Sequence, residues 1–468
     1  MDQLKPSRHQ RTNLHEVKHQ MICSLPGIRS LTAAVVIMLC TVTAGQARGL
    51  GDILRQVEKN TPALKAAHSR TAMQQAAARQ ARSSYWGEVD AMVKNSNYNE
   101  GRMINPISYP VTMKPELFDD NQIGYGITGR IPLDINGRIT AQVRAADREL
   151  EAALAREDNV RLQVLHSAAD LYHSLEGVKA LEKALEKQIE ALQTHIQVAT
   201  VSIAAGRTAP VEKLRLVADL EAVKGKLAGL RGQEQGIRAR IAALMGTASF
   251  ADPVQPVPGP PTEAANVNED VTGRPDIRAL QSSGDAAKAE VDAAFARRLP
   301  DLNVNGSWLQ NQGFDGDGDN TWALFVQVQV PLWDGGGRRA AVSRAEAGRT
   351  VVRHELDVTR NQARAEFVAA KADLAAAETS YRATVASVAA ARETASIQTD
   401  RFAEGRISAA DLVDAEAALA GARSDSALAL TRWWQAGDHL RRAVGAEPID
   451  YVAPAEMVDG NSTAAQNN

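Results

Sequence analysis

Two histidines and a glutamate near the start of the chain have the spacing of a zinc site. His15, Glu16 and His19 match the HExxH pattern, which places two imidazoles one helical turn apart on a metal ion. The segment lies upstream of an apolar run, Leu31 to Val42, that leads into small residues ending at Ala47. A basic start, an apolar centre and a small-residue end are the parts of a secretory signal peptide. We therefore interpret the HExxH match as chance within a leader.

The predicted leader covers residues 1–47, with cleavage after Ala44 or Ala47. Its basic part is long for a signal peptide, and a start at Met21 instead of Met1 would give ordinary proportions. The apolar run is too short to span a membrane as a helix. Both cysteines of the chain lie in this leader, at Cys23 and Cys40. We therefore expect an exported protein without a disulfide, a thiol nucleophile or a thiolate metal site.

Two further groups of side chains could bind metal ions. His166, Asp170 and His173 share a helix face at i, i+4 and i+7. The segment Asp315 to Asp319 resembles the start of a calcium loop, but Val326 stands where the closing glutamate belongs. A solvated helix face explains the first group better, and a solvated surface loop explains the second. We expect no metal and no other cofactor.

Composition argues against several function classes. The chain has 468 residues, 44% of them hydrophobic but only 4% aromatic, with a formal net charge of −3. A chain with this net charge lacks the excess of basic residues that is typical of nucleic-acid-binding proteins. Apolar positions filled by Ala, Val and Leu favour close helix packing over an aromatic-lined cofactor pocket. The residues after the leader contain no P-loop, GxSxG elbow or dinucleotide-binding fingerprint, so we expect a protein that is not an enzyme.

An internal repeat organises the rest of the chain. Pro132 and Gly206 recur, with their neighbours, 199 positions later as Pro331 and Gly405. Self-similarity over so long a period indicates two copies of one structural unit. The predicted division is a first copy at 48–246, a proline-rich linker at 247–270, a second copy at 271–446 and a polar tail at 447–468.

Each copy is predicted to contain a helix, a β-hairpin and a long helical hairpin. The predicted β-hairpins are 85–131 and 301–331, and the predicted helical hairpins are 139–245 and 338–445. The strands alternate apolar with small or polar residues over about ten positions, which is typical of outer-membrane barrel strands. A soluble sheet with one wet face has the same period. Four such strands cannot close by themselves, so in lipid several chains would have to share one barrel.

The long helix of the first copy carries a heptad pattern from Leu171 to Ile203, which predicts coiled-coil packing against a neighbour. Its predicted 67 residues would span about 100 Å at 1.5 Å per residue. The two shorter helices of the unit, stacked end to end, would have nearly the same length.

The duplicated hairpin, the Pro-Leu strand exits at Pro132 and Pro331, the Gly-Arg turns and the helix lengths together resemble the TolC family of outer-membrane efflux proteins. The resemblance covers about Arg48 to Ala446. It implies an α+β membrane protein that forms a homotrimer. Three chains would supply four transmembrane strands each to a 12-stranded barrel, continued by a periplasmic α-helical coiled-coil barrel.

The same resemblance implies a function. The protein would be the passive exit duct of a tripartite efflux or type I secretion system in the outer membrane. An inner-membrane pump would deliver drugs, metal ions or proteins to it through a periplasmic adaptor protein.

The family's periplasmic aperture is ringed by two aspartates three residues apart, and Asp411 and Asp414 stand at those positions. Ser408 and Asp411 also read as a capping box, which would explain Asp411 as a helix-start residue. The matching residues of the first copy are Glu212 and Arg215, so an acidic ring would come from the second copy alone.

The resemblance also assigns adaptor docking to the two helical tips. The tip residues are Gly206, Arg207, Gly405 and Arg406. A plain helix-ending turn explains both glycines equally well. The alternative for the whole chain is a secreted structural coiled-coil protein with a small soluble sheet. Such a protein would stay in a periplasmic extract, whereas a duct would sediment with outer membranes.

Overall fold

The computed structural model describes residues 48–104, 118–207, 209–255, 259–261, 267–314 and 318–449. The predicted leader, most of the predicted tail, and Asp315 with its two following residues lie outside these ranges. Within them, the helices are α1 Leu50–Asn60, α2 Pro62–Ser83, α3 Arg138–Ala204, α4 Pro210–Met245, α5 Pro275–Ala296, α6 Gly337–Ala403 and α7 Ala409–Ala443. The strands are β1 Glu88–Met103, β2 Phe118–Leu133, β3 Asp301–Gly313 and β4 Asp319–Gln329.

The helices α3 and α4 form the predicted helical hairpin of the first copy, which begins one residue before the expected position and ends at it. The helix α1 was not expected. Its Ile53, Leu54 and Val57 are fully buried, and the short amphipathic segment is held by that burial. The strand β1 begins at Glu88, three residues later than expected, because Ser84–Trp86 form a turn that ends in Gly87. A Cβ atom at Gly87, which has a φ of 72°, would lie 1.9 Å from the Arg130 carbonyl oxygen.

The four strands form one antiparallel sheet in the order β1-β2-β3-β4. Its register aligns one apolar row across all strands, in which Ala91, Ile127, Trp308 and Trp322 are successive partners. This face is exposed to an unusual degree: Trp322, Leu324 and Val326 are 75%, 69% and 65% exposed. The next row, on the opposite face, is Asp90, Thr128, Ser307 and Ala323. The sheet therefore has an apolar face that no other described part of the chain covers, and a face of small and polar residues.

No helix within the described ranges is long and apolar enough to cross a membrane.

The shorter helices stack end to end, as expected from their summed length, which is close to that of one long helix. A Cβ atom built at Gly246, which ends α4, would lie 3.2 Å from the Asn60 carbonyl oxygen and 3.8 Å from Pro62 Cδ at the start of α2. At the end of α7, a Cβ atom at Gly445 would lie 3.3 Å from Cδ of Pro275, the first residue of α5. Two stacked rods, α4 with α2 and α7 with α5, thus accompany the two continuous helices α3 and α6.

The four rods pack side by side. The helix α3 packs against α4 and α2 on one side and against α7 and α5 on the other, and α6 packs against α7 and α5. Three apolar clusters support this row. One joins α1, α3 and α4; the second joins α5, α6 and α7; the third lies beneath the two helical turns that end α3 and α6. The margins of the row are α4 with α2 on one side and α6 on the other.

Candidate functional site

The second-copy tip is a tight turn followed by a capped helix. Gly405, with a φ of 73°, ends α6, and the Arg406 amide donates to the Arg401 carbonyl oxygen at 2.9 Å. Only a residue without a Cβ takes this left-handed conformation at no cost, so the glycine is required by the turn itself. The plain-turn explanation for Gly405 therefore holds, and Gly206 has the same geometry with a φ of 69°.

Asp411 has a structural role at this tip. Its amide donates to the Ser408 hydroxyl at 3.3 Å, and its carboxylate accepts from the Ser408 hydroxyl at 2.7 Å and from the Ser408 amide at 3.1 Å. These contacts are the reciprocal capping box expected from the sequence. The hydrogen bonds from Ser408 hold the pKa of Asp411 below its ordinary value, so the exposed carboxylate is charged at neutral pH.

Asp414 lies one helical turn further into α7. Its side chain is exposed, as is that of Asp411, while the intervening Leu412 and the following Ala415 are buried. Both carboxylates therefore lie on the solvent side of α7, close to the tip. The capping box accounts for Asp411 but leaves Asp414 without a part in ending or starting the helix.

A residue of the first-copy tip is hydrogen-bonded to the start of α7 in the second-copy tip. Glu212 on α4 accepts a hydrogen bond from the Ala409 amide, 2.9 Å away, through its Oε2 atom. Ala409 is the first residue of α7, and its amide is one of the donors that a helix start leaves without a partner. Arg207 and Arg406, the two tip arginines, are both exposed, and Arg406 pairs with Glu404 at 3.1 Å. Sequence reasoning paired Glu212 with Asp411 by position but missed its contact with α7.

A buried polar pair lies above the tip. His195 on α3 donates from Nε2 to Glu416 Oε1 on α7 at 3.3 Å, and both side chains are mostly buried. Phe402 packs edge-on against the His195 ring at 6.4 Å. The pair joins the first-copy helix to the second-copy helix. Sequence patterns did not predict this pair, because the partners are 221 positions apart.

His166 and His173 are not on a solvated face, and that expectation is wrong. His166 is fully buried and donates from Nε2 to the Ala446 carbonyl oxygen at 2.8 Å. His173 donates from Nε2 to Asp438 Oδ2 at 3.2 Å and stacks on Trp434 with 5.3 Å between ring centroids. Asp170, by contrast, pairs with His439 at 3.4 Å. The three residues thus take separate partners from α7 and the segment that follows it.

Opposite environments set the charges of these two histidines. Burial lowers the pKa of His166, so its ring is neutral at pH 7. Burial also acts to lower the pKa of His173, but the Asp438 and Glu176 carboxylates outweigh it and raise the pKa to about 9. Among the described residues, no group of three or more His, Cys, Asp or Glu side chains is arranged to hold a metal ion. Of the predicted calcium loop, Asp319 is described and begins β4.

The strand exits place a carboxylate at the start of each long helix. Asp134 accepts from the amides of Ile139 and Thr140, both at 2.8 Å, and Asp334 accepts from the Arg338 amide at 2.7 Å. Hydrogen bonds to these carboxylates lower the pKa of each, against the opposing effect of burial at Asp134. The anionic groups stabilise the positive ends of the two helix dipoles.

Comparison with known proteins gives one family. The family model described as "Outer membrane efflux protein" matches residues 53–247 and 268–446, which is most of the chain.

Curated relatives and a solved structure agree with this match. Nodulation protein T of Rhizobium leguminosarum is 22% identical over 312 residues, covering 64% of this chain and 67% of the relative. Outer membrane protein OprJ of Pseudomonas aeruginosa is 24% identical over 270 residues, covering 54% of this chain and 55% of OprJ. The alignment thus spans about half the length of OprJ.

The crystal structure of the outer membrane protein VceC from Vibrio cholerae is similar in fold. It superposes with a TM-score of 0.73 at 21% sequence identity, covering 85% of this chain and 96% of VceC.

Proposed function

The chain belongs to the outer membrane efflux protein family, and from that membership we propose that it is the exit duct of a tripartite efflux or type I secretion system. Substrates reach such a duct from an inner-membrane pump through a periplasmic adaptor protein. The duct itself is passive and catalyses no reaction. The observation that carries the proposal is the exposed apolar face of the sheet.

That face is suited to lipid and not to water. Val89, Trp322 and Leu324 are each more than two-thirds exposed, and they lie on one face of the sheet, in two neighbouring rows that cross all four strands. A contiguous apolar patch of this kind marks a membrane or protein contact. The opposite face offers polar groups such as Arg130, whose guanidinium donates to Asn303 Oδ1 at 3.2 Å. Strands that alternate in this way match barrel strands with lipid outside and water inside.

The two edge strands of the sheet indicate how many copies of the chain share one barrel. The described part of the chain leaves β1 and β4 each paired on one side only. Lipid does not tolerate an open sheet edge, so β4 of one copy would pair with β1 of the next. Two copies would give eight strands and a lumen filled by side chains, whereas three copies would give twelve strands and an aqueous bore. A homotrimer is the smallest assembly that can act as a duct.

The second-copy tip would form the periplasmic aperture. Three copies of Asp411 and Asp414 would place six carboxylates at one constriction. Clustered negative charge in a narrow passage favours cations, as in channel filters lined by acidic rings. In the first copy, Glu212 is hydrogen-bonded to the start of α7, and the residue that corresponds to Asp414 is Arg215. The second copy alone therefore supplies the negative charge.

The tips are also the proposed docking points for the adaptor. Gly206 and Gly405 set two turns that project Arg207 and Arg406 into solvent. Exposed backbone turns with a flanking cation are accessible to a partner that approaches from the periplasm. Replacing Arg207 and Arg406 together should weaken capture of the adaptor without changing the amount of assembled protein.

Fractionation tests the proposal directly. The protein should sediment with outer membranes, require detergent for extraction, and appear as a trimer in native mass spectrometry. Recovery in the periplasmic extract as a soluble monomer would contradict the proposal and support a structural coiled-coil protein.

A matched pair of substitutions tests the lipid-facing surface. Leu324 lies on the apolar face, paired with Gly306 of β3, and its neighbour Ala323 lies on the opposite face. Lysine on the lipid face of a barrel costs about 2–4 kcal/mol near the bilayer midplane, and lysine on the lumen face costs little. Leu324→Lys should therefore reduce the assembled protein in the membrane, and Ala323→Lys should not.

A further inference from the structure

A cavity of about 290 Å³ lies between α3 and α7, beside the linker that joins the two copies. Its apolar walls come from Ala180 on α3, from Ala427, Leu430 and Trp434 on α7, and from Val254 of the linker. An engineered protein cavity of about 150 Å³ holds benzene, so this cavity has room for two fused aromatic rings or a chain of similar bulk. It lies about midway along α3, away from the sheet and the tips, and the proposed duct gives it no part.

Contacts within the chain fix two borders of the cavity. Gly177 of α3 is buried, and a Cβ atom there would lie 2.5 Å from Thr431 Oγ1, so α3 and α7 approach closely at one border. At another border, the Gln255 amide donates to the Arg48 carbonyl oxygen at 3.0 Å, which fixes the backbone next to Val254. Binding sites for small molecules are usually formed before the ligand arrives. This cavity has that property, because its walls depend on contacts that the chain makes with itself.

An aromatic pair forms the most buried part of the lining. Trp434 stacks on His173 with 5.3 Å between ring centroids, and its indole nitrogen donates to the Gly259 carbonyl oxygen at 2.8 Å. Because that donor already has its acceptor, the indole offers only apolar surface to the cavity. His173 is charged at neutral pH, and its partner Asp438 also accepts from the Ile449 amide at 2.8 Å. This end of the cavity therefore combines an aromatic surface with a buried cation.

The more exposed side of the cavity carries two lysines, Lys179 and Lys183. Lys179 lies 3.6 Å from Glu234, but that carboxylate also pairs with Arg238 at 2.8 Å. Among the described residues that line the cavity, Glu176 supplies one carboxylate, against two ammonium groups and the imidazolium. Charges beside an apolar wall interact more strongly than charges in water. The lining therefore favours a molecule that carries a negative charge.

We propose that this cavity binds a small organic anion with an apolar body, such as an aromatic carboxylate. The apolar body would lie against Trp434 and Leu430, and the carboxylate would bind the ammonium groups of Lys179 and Lys183. The body then leaves water while the charge stays at the more exposed side, which avoids most of the cost of burying an ion. An organic cation of the same shape would meet the same walls with an unfavourable charge.

Binding would affect the packing of the two copies, because the cavity touches three parts of the chain. The helix α3 belongs to the first copy, α7 belongs to the second, and Val254 belongs to the linker between them. A ligand that binds only the folded chain stabilises it by mass action. We therefore expect the anion to stabilise the contact between the copies. This inference depends neither on the trimer nor on the duct.

Titration calorimetry tests the site, with 2-naphthoate as the probe and the purified protein in lipid nanodiscs. We expect saturable binding at one site per chain. Protonated 2-naphthylmethylamine, which has the same rings and the opposite charge, should bind at least tenfold more weakly. The midpoint of thermal unfolding should rise with 2-naphthoate. Absence of saturable 2-naphthoate binding, or equal binding of the two probes, would overturn the proposal.

Two substitutions test whether the probe binds in this cavity. Ala427→Phe places a ring inside the cavity and should weaken 2-naphthoate binding at least tenfold, whereas Ala418→Phe, at an exposed position of the same helix, should not. Lys183→Glu reverses a charge at the cavity and should also weaken binding at least tenfold, whereas Lys187→Glu, one turn further along α3, should not. Lys183 is exposed, so its variant tests the site independently of whether Ala427→Phe folds. Unchanged binding in the Lys183 variant would overturn the assignment to this cavity.

Discussion

The two long helices have the same length and very different surroundings. Both α3 and α6 contain 67 residues and stand at equivalent places in the two copies. Of these residues, 20 are buried in α3 and only six in α6. The difference reflects position in the row of rods, since α3 has neighbours on both sides and α6 lies at a margin. Duplication preserved the length of the helix, while its neighbours determined which residues each copy uses.

Residues at equivalent positions of α3 and α6 show this difference in burial. The buried His166 and His173 of α3 correspond, 199 residues later, to Ala365 and Ala372 of α6, and Ala372 is exposed. Where α3 binds α7 through side-chain hydrogen bonds, α6 presents small side chains outward.

The largest effect is expected for a core leucine. Leu165 of α3 is fully buried, and its counterpart Arg364 in α6 is exposed. Leu165→Ala should lower the free energy of unfolding by about 2–5 kcal/mol, because it removes buried methyl groups and leaves a cavity. Arg364→Ala should change it by about 0.5 kcal/mol or less. Denaturant unfolding followed by circular dichroism measures the free energy of unfolding of both variants. Similar losses in the two variants would contradict the difference between α3 and α6.

The next effect is a pH dependence that only α3 should show. The pKa of His173 is raised to about 9, above its ordinary value of 6.5, so the charged ring stabilises the folded state. That contribution is complete below about pH 6.5 and is lost as the pH rises through about 9, with a total of at most about 3 kcal/mol. His173→Gln should flatten the stability profile between pH 7 and pH 10. Ala372→His should leave the profile as it is in the unmodified protein.

The third prediction compares the tips. Replacing Asp411 and Asp414 by Ala should reduce cation selectivity and block by trivalent cations in planar-bilayer recordings, because the clustered carboxylates are gone. Replacing Arg215 by Ala, at the first-copy position that corresponds to Asp414, should leave selectivity unchanged. Both variants should still assemble. If the first-copy variant changed selectivity and the second-copy variant did not, the assignment of the aperture would be reversed.

The smallest effect concerns the cap that the first copy supplies to the second. Glu212→Ala removes the acceptor for the Ala409 amide, and loss of such a cap costs about 0.5–2 kcal/mol. We expect faster hydrogen exchange in the first turn of α7 only. Glu221→Ala removes an exposed pair with Lys224 on the same helix and serves as the control. Equal exchange in both variants would show that the α7 start does not depend on α4.

Periodicity predicted the elements because each long helix and strand carries many repeats of its pattern. The sheet faces followed from alternation, and the turns followed from Gly206 and Gly405. The buried partners did not follow. A heptad shows that α3 has a neighbour but cannot show that His173 meets Asp438, 265 positions away. Position alone likewise compared Glu212 with Asp411, whereas its carboxylate reaches across the tip to α7.

The stacked helices have an electrostatic consequence. The negative end of α4 meets the positive end of α2, so the two macrodipoles lie head to tail. The last turn of α4 contains no basic residue, and the first turn of α2 contains no acidic residue. At the other junction, by contrast, Arg441 and Arg442 end α7, and Asp276 begins α5. At the junction of α4 and α2, the partial charges of the peptide groups thus compensate each other without charged side chains. We therefore expect the stability of that junction to depend little on ionic strength.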